Sequence, residues 1–183
     1  DHVAALGLGG PEVGHPPEKF AESFKLAQAA GLPCVPHAGE TQGAESMWSA
    51  LKAANGVRLG HGVRCLEDPR LVEELRARQV PLEVCPTSNV CLHVAPSIEE
   101  HPLPRLLEAG LYVTLNSDDP ALFNTTLTDE YLKSAKAFGW NAGQMDAFSL
   151  RALRASLLPD EQKAKLQAEF KEEFSNLRKE HLF

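Results

Sequence analysis

The sequence lacks paired cysteines, basic clusters and long hydrophobic runs, and each absence argues against a class of protein. Its four cysteines, Cys34, Cys65, Cys85 and Cys91, are scattered along the chain and form no C-x-x-C pair. This distribution argues against a disulfide scaffold and against a zinc finger. We expect reduced and mostly buried thiols, because a free cysteine usually behaves as a small hydrophobic residue.

The charge balance is acidic. Asp and Glu number 25 against 18 Lys and Arg, which gives a formal net charge of −7. No basic run offers a surface for a nucleic-acid backbone. No apolar stretch approaches the roughly 20 residues that span a bilayer, and the first residues show no signal-peptide pattern. We therefore expect a cytoplasmic protein that binds a small molecule and neither nucleic acid nor membrane. The oligomeric state stays open.

Short apolar runs alternate with helical segments along the first two thirds of the chain. The 183 residues are 43% hydrophobic and 23% charged, which suits one globular domain over residues 1–183. Strands are predicted at 3–8, 33–36, 57–60, 81–85 and 111–115, each followed by a helix, and residues after 119 are helical. Five such units in series indicate an α/β fold with a parallel sheet and right-handed crossovers.

Polar residues follow these strands at their carboxyl ends. His37 and Glu40 follow the second strand, His61 the third, and Asp118 and Asp119 the fifth. A barrel would bring these ends to one face, and no G-x-G-x-x-G turn favours a dinucleotide-binding sheet instead. Histidine and aspartate are common zinc or iron ligands, and two adjacent carboxylates favour a cation nearby.

Other interpretations of these residues stay open at this stage. A single histidine after a strand is often a hydrogen-bonded structural residue, and Asp118 and Asp119 before Pro120 could cap a helix. Gly10 either permits a backbone bend or lets a flat ligand approach the main chain. The segment 87–89 is interpreted as a structural turn, because Ser and Asn bond to local backbone. His15 and His93 are expected in surface loops.

Several motifs, in this order and spacing, resemble the adenosine and adenine deaminases of the amidohydrolase superfamily. They are Leu8-Gly9-Gly10-Pro11-Glu12, His37-Ala38-Gly39-Glu40, Gly60-His61-Gly62, Cys85-Pro86-Thr87-Ser88-Asn89, Ser117-Asp118-Asp119-Pro120 and Ser156-Leu157-Leu158-Pro159. The resemblance covers nearly the whole chain. It implies a (β/α)8 TIM barrel with one Zn²⁺ per full-length subunit.

The resemblance also implies a role for each matching residue. His37 and Asp118 would be zinc ligands, and Glu40 would carry protons to purine N1 and to the leaving ammonia. His61 would orient or deprotonate the attacking water. Asp119 would bind purine N7, and the backbone at Gly10 would bind purine N3.

One departure from the family pattern limits this interpretation. The family carries two further zinc-binding histidines as His-x-His after its first strand, and no His-x-His occurs in this sequence. A whole barrel typically has about 250 residues. We therefore expect the chain to be the C-terminal five βα units of a barrel, with additional C-terminal helices, and to be inactive alone.

The predicted activity of the complete enzyme is zinc-dependent hydrolytic deamination of a 6-aminopurine in purine salvage. The substrate would be adenosine, which yields inosine and ammonia, and deoxyadenosine would react in the same way. Adenine or another adenine nucleoside is the alternative substrate within the family. Two other hypotheses are a different reaction on the same barrel, such as hydrolysis of a nucleoside phosphate or a cyclic amide, and a catalytically incomplete fragment.

Overall fold

A computed structural model describes residues 3–181 of the chain. Its strands are β1 (Leu6–Leu8), β2 (Cys34–Ala38), β3 (Leu59–His61), β4 (Leu82–Val84) and β5 (Val113–Leu115). Within these residues they form one five-stranded sheet in the order β1-β2-β3-β4-β5, and every neighbouring pair is parallel. The carboxyl ends of all the strands therefore lie along the same edge of the sheet.

Helices connect successive strands, as parallel pairing requires. The connecting helices are α1 (Ala21–Ala29), α2 (Ala44–Ala53), α3 (Pro69–Arg78), α4 (Pro86–Cys91) and α5 (Leu103–Glu108), with short 3-10 turns at Pro17–Phe20 and Val63–Glu67. After β5 come α6 (Pro120–Phe123), α7 (Leu127–Phe138), α8 (Ala142–Ala155) and α9 (Asp160–His181). Local signals set several of their ends. Asp68 caps α3 by accepting from Arg70 N, and a capping box of Asn141 and Gln144 begins α8.

The main core lies between the sheet and these helices. Its fully buried side chains include Met47 of α2, Leu75 of α3, Leu82 of β4 and Leu115 of β5. Phe148 of α8 belongs to the same cluster, because α8 packs against β5. The main core thus holds β2 to β5 in fixed positions, and β1 packs against a second, smaller cluster around Phe24. Fixed strands are the condition for side chains at their ends to form a site.

The succession of five strand-helix units is confirmed, although every strand except β2 is shorter than predicted. The second strand, expected at 33–36, comprises Cys34–Ala38, so His37 lies within it and not after it. The first strand, expected at 3–8, comprises Leu6–Leu8, and the third ends on His61 itself. The turn expected at 87–89 is wrong, because these residues lie inside α4. Pro86 at the first helical position starts that helix, and burial of Ser88 and Asn89 outweighs their preference for turns.

The prediction of mostly buried thiols is confirmed for three of the four cysteines. Each is free, with Cys34, Cys65 and Cys85 buried and Cys91 exposed. None of the helices within residues 3–181 is both long enough and apolar enough to cross a membrane.

Candidate active site

His37 and His61 come together because β2 and β3 are paired in parallel. In that register His37 lies opposite Gly60, and Ala38 lies opposite His61. The two imidazole rings meet edge to face, with centroids 4.9 Å apart. Gly60 makes this possible, since a Cβ at that position would lie 2.5 Å from His37 Cδ2. The sequence therefore places a glycine where the first histidine ring needs space.

His61 is the most enclosed residue of the predicted site, with 2% of its surface exposed. Its Nδ1 lies 3.4 Å from Asn89 Nδ2 and 3.4 Å from Glu40 Oε1, and its Nε2 lies 3.9 Å from Asp118 Oδ2. Burial, and then the nearby His37, lower the pKa of His61 to about 4. The ring is therefore neutral near pH 7 and can donate from one nitrogen while it accepts at the other.

Asp118 enters the site from the end of β5. Ser88 Oγ donates to its Oδ2 at 2.7 Å, so α4 fixes this carboxylate from the neighbouring unit. Asp118 and His61 both have positive φ, 56° and 61°. Non-glycine residues adopt this conformation at an energetic cost, and such residues often lie at functional sites.

Glu40 presents a buried and unpaired oxygen to the same space. Its Oε1 finds no hydrogen-bond donor among residues 3–181. Burial, followed by the charges of Asp118 and Glu12, raises the pKa of Glu40 from 4.5 to about 7. A carboxyl group with such a pKa can both give and take a proton near neutral pH.

Glu12 holds the loop that carries Glu40, and the sequence revealed no role for it. Its two carboxylate oxygens accept from the backbone N–H groups of residues 39, 40, 41 and 42 and from the hydroxyls of Thr41 and Ser46, at 2.6–3.1 Å. Burial acts to raise the pKa of Glu12, but these hydrogen bonds outweigh it and the pKa is lowered. In the sequence, Glu12 was marked by the motif that follows the first strand, which gave it no role.

Gly10 and Asp119 are more peripheral. Gly10 is exposed, adopts φ 103°, and lines a cavity of about 120 Å³ together with Glu12 and His37. A Cβ at Gly10 would meet nothing within 4 Å, so its conformation alone explains the glycine. The carboxylate of Asp119 caps α6, where Oδ1 accepts from Leu122 N at 3.1 Å. The capping role considered for this acidic pair thus applies to Asp119.

Two buried residues complete the surroundings of His61. From the sequence, Asn89 was interpreted as part of a structural turn, and His101 was not identified at all. Asn89 lies in α4, and His101 lies before α5, with 0% and 3% of their surfaces exposed. His101 Nε2 lies 3.1 Å from Asn89 Oδ1. Their contact joins separate elements across a loop, and no local pattern in the sequence indicates it.

The imidazole and carboxylate groups around His61 suit a metal ion, whereas the nearby thiol does not. His37, His61, Cys85 and Asp118 line one cavity of about 440 Å³. Single potential ligand atoms of His61, Cys85 and Asp118 lie within 4.8 Å of one another. Cys85 is poorly suited, because burial and then the charge of Asp118 raise the pKa of its thiol. Imidazole and carboxylate donors suit zinc, which takes about four ligands in all.

Comparison with known proteins gives a consistent result. A family model described as adenosine deaminase matches residues 1–173. The chain is 41% identical over 167 residues to aminodeoxyfutalosine deaminase of Streptomyces avermitilis, covering 91% of this chain and 47% of that protein. It is 43% identical over 175 residues to adenine deaminase of Hahella chejuensis, covering 96% and 52%.

A solved structure shares the fold. The amidohydrolase of Burkholderia ambifaria, determined with bound Zn, superimposes with a TM-score of 0.90 at 27% identity. The alignment covers 98% of this chain and 50% of that one. The chain therefore spans about half the length of the curated relatives and of the solved structure that it matches.

Proposed function

Because this chain belongs to the adenosine deaminase family, we propose that it forms the C-terminal part of a zinc-dependent hydrolase that removes the amino group of a 6-aminopurine. The proposed reaction converts adenosine or deoxyadenosine, with water, to the corresponding inosine and ammonia. One observation carries the proposal. A buried and unpaired Glu40 oxygen, on a carboxyl group whose pKa is raised to about 7, lies beside His61 and Asp118.

His37 and Asp118 would hold the zinc ion. They come from β2 and from the end of β5, and both line the same cavity. Ser88 fixes the Asp118 carboxylate, and Gly60 gives the His37 ring its space. When bound, zinc lowers the pKa of a water molecule from ~15.7 toward ~7. The remaining ligands would come from residues outside this chain, since a catalytic zinc has about three protein ligands.

Glu40 would carry the protons. Near pH 7 a substantial fraction of Glu40 is protonated, because its pKa is about 7. Its acid form can protonate purine N1, which makes the ring accept water at C6. The carboxylate that results can take a proton from the water that has added at C6. It then passes this proton to the amino group, which leaves as ammonia. Glu12 would keep Glu40 in place for both transfers through its bonds to the backbone of residues 39–42.

The remaining residues would orient the substrate and the attacking water. His61 is neutral and nearly inaccessible, so it would orient the water by a hydrogen bond. Asp119 would bind purine N7, for which one of its carboxylate oxygens is available beyond the one that caps α6. The exposed backbone at Gly10 would bind purine N3.

The proposal also has to specify which 6-aminopurine is the substrate. One relative is an adenine deaminase and another is an aminodeoxyfutalosine deaminase. The two are similar to this chain to nearly the same degree, with 43% and 41% identity. A substrate panel decides between them. We would load the longest natural form of the protein with zinc and measure ammonia release from adenosine, deoxyadenosine, adenine and an adenine nucleoside extended at its 5′ carbon.

We expect release from at least one member of this panel. If the zinc-loaded protein left every 6-aminopurine unchanged, the proposal would have to be abandoned. The second candidate is a catalytically incomplete fragment, and it is favoured by the small number of ligands that this chain supplies. Zinc analysis of the 183-residue chain addresses it, because tight binding of one zinc would contradict an incomplete site.

A further inference from the structure

A chain of hydrogen bonds leads from the first residue of α5 to the ring of His61. It begins at Leu103, whose N–H donates to His101 Nδ1 at 3.0 Å. A backbone N–H can only donate, so Nδ1 of His101 must be the nitrogen without a proton. Burial lowers the pKa of His101 to about 4, which agrees with a neutral ring. The proton of this ring therefore lies on Nε2.

The direction of the next bond follows from the first. His101 Nε2 lies 3.1 Å from a side-chain atom of Asn89, and because Nε2 carries a proton the partner must be the amide oxygen. This requirement sets the orientation of the Asn89 amide independently of how its oxygen and nitrogen are assigned. The backbone of Asn89 is also fixed, since its N–H donates to Cys85 O at 2.9 Å and its carbonyl accepts from Val94 N at 2.8 Å.

The Asn89 amide nitrogen must then face His61. Its Nδ2 lies 3.4 Å from His61 Nδ1, and both side chains are buried. An amide nitrogen can only donate, so Nδ1 of His61 accepts and Nε2 carries the proton of the neutral ring. Nε2 is the nitrogen that faces Asp118.

Glu40 offers the competing arrangement. Its Oε1 also lies 3.4 Å from His61 Nδ1, and a charged carboxylate there would favour a proton on Nδ1. The hydrogen bond from Asn89 opposes that tautomer, because two donors would then face each other. A protonated Glu40 carboxyl group is compatible with the arrangement that Asn89 imposes.

We propose that Asn89 and His101 are positioning residues that hold the His61 ring with its proton on Nε2, directed to the reacting side of the site. Neither residue needs to touch the substrate. The effect on turnover rests on the proposed deaminase function, whereas the position of the proton on His61 does not. The alternative is that both residues only stabilise the segment between α4 and α5.

The nitrogen resonances of histidine test the proposal directly, because protonated and unprotonated ring nitrogens are well separated in ¹⁵N spectra. The longest natural form would be labelled with ¹⁵N-histidine and measured well above the ordinary histidine pKa of about 6.5. A His61→Gln variant identifies the signals of His61. We expect an unprotonated Nδ1 and a protonated Nε2.

Variants of Asn89 and His101 then reverse, remove or keep the hydrogen bonds of this chain. Asn89→Asp puts a carboxylate oxygen opposite His61 Nδ1 and should move the proton to that nitrogen. His101→Leu removes the bond that orients Asn89, while His101→Gln keeps a donor near the position of Nε2. The exposed His181 gives a matched control as His181→Gln.

We expect Asn89→Asp and His101→Leu to lower kcat by about 10- to 100-fold, as is typical when a supporting residue of a site is removed. KM should change little, and His101→Gln should restore most of the rate. A proton on Nδ1 of His61 in the unmodified protein, or on Nε2 in Asn89→Asp, would overturn the proposal. The expected spectra with no turnover of any 6-aminopurine would support the positioning role and refute the proposed function instead.

Discussion

Gly60 provides a direct test of where the His37 ring lies. The Cβ of an alanine at this position would lie 2.5 Å from His37 Cδ2 and 2.9 Å from Cγ. Carbon atoms in contact are about 3.5–4.0 Å apart, so the ring would have to move by roughly 1 Å. The backbone of Gly60 lies outside the left-handed region, so the penalty is steric and not conformational.

The edge-to-face contact of His37 with His61 limits that movement. Overpacking of this kind typically costs about 1–3 kcal/mol of stability. A misplacement of about 1 Å in a catalytic group can cost about 100-fold in rate. We therefore expect Gly60→Ala, in the longest natural form, to weaken zinc binding and to lower kcat by about 100-fold.

Zinc affinity would be measured by competition with a chromogenic chelator, and kcat by ammonia release. The matched control is Gly7→Ala in β1, where a Cβ would meet only Val35 O at an ordinary 3.8 Å. This control should bind zinc and turn over substrate normally. If Gly60→Ala did the same, His37 could not occupy the position that we assign to a zinc ligand.

Three further changes test other parts of the molecule. Glu12→Gln should lower the free energy of unfolding by at least about 3 kcal/mol in urea denaturation, because it replaces an oxygen acceptor of hydrogen bonds worth about 1.5–3 kcal/mol each. Glu18→Gln, at an exposed position, should stay within about 0.5 kcal/mol of the unmodified protein. Burial and nearby charges raise the pKa of Glu40 from 4.5 to about 7, so its contribution to stability is complete below pH 4.5 and is lost as the pH rises through 7. In metal-free protein, the free energy of unfolding of Glu40→Gln should therefore increase relative to that of the unmodified protein as the pH rises from 4.5 to above 7. Leu75→Ala should cost about 3–5 kcal/mol, because Leu75 is completely buried in the main core.

Each of these expectations has a clear contrary result. Equal stabilities of Glu12→Gln and Glu18→Gln would show that the bonds to the loop at 39–42 contribute little. A stability difference between Glu40→Gln and the unmodified protein that did not change with pH would show an ordinary pKa for Glu40. A loss below 1 kcal/mol in Leu75→Ala would contradict the packing of α3 on the sheet.

The proximity of the polar residues at the strand ends could be predicted from the sequence. An apolar run between turn signals predicts a buried strand, and parallel strands with crossover helices end on the same edge. Polar residues at those ends must then be neighbours. His37, Glu40 and Asp118 were expected near His61 on these grounds, and in the structure each of the three lies close to the His61 ring.

The supporting residues were not predictable, because their contacts depend on tertiary packing. Asn89 lies in a segment whose composition favours a turn, yet burial places it in a helix against His61. Glu12 could be recognised as a polar residue in a motif after a strand, but its bonds to a loop 27–30 residues further along the chain could not. His101 reaches Asn89 across an irregular loop. Periodicity describes faces of helices and strands, and it carries no information about such contacts.

The central claim is that these strand ends form a zinc-dependent deaminating centre in which Glu40 carries the proton. The most direct test measures bound zinc and ammonia release side by side, in the longest natural form and in its Glu40→Gln variant. We predict about one zinc per subunit in both proteins, and a loss of about 10²–10⁴-fold in kcat for the variant alone, as expected for removal of a general acid. A variant that kept the full rate, or that lost its zinc, would contradict the account.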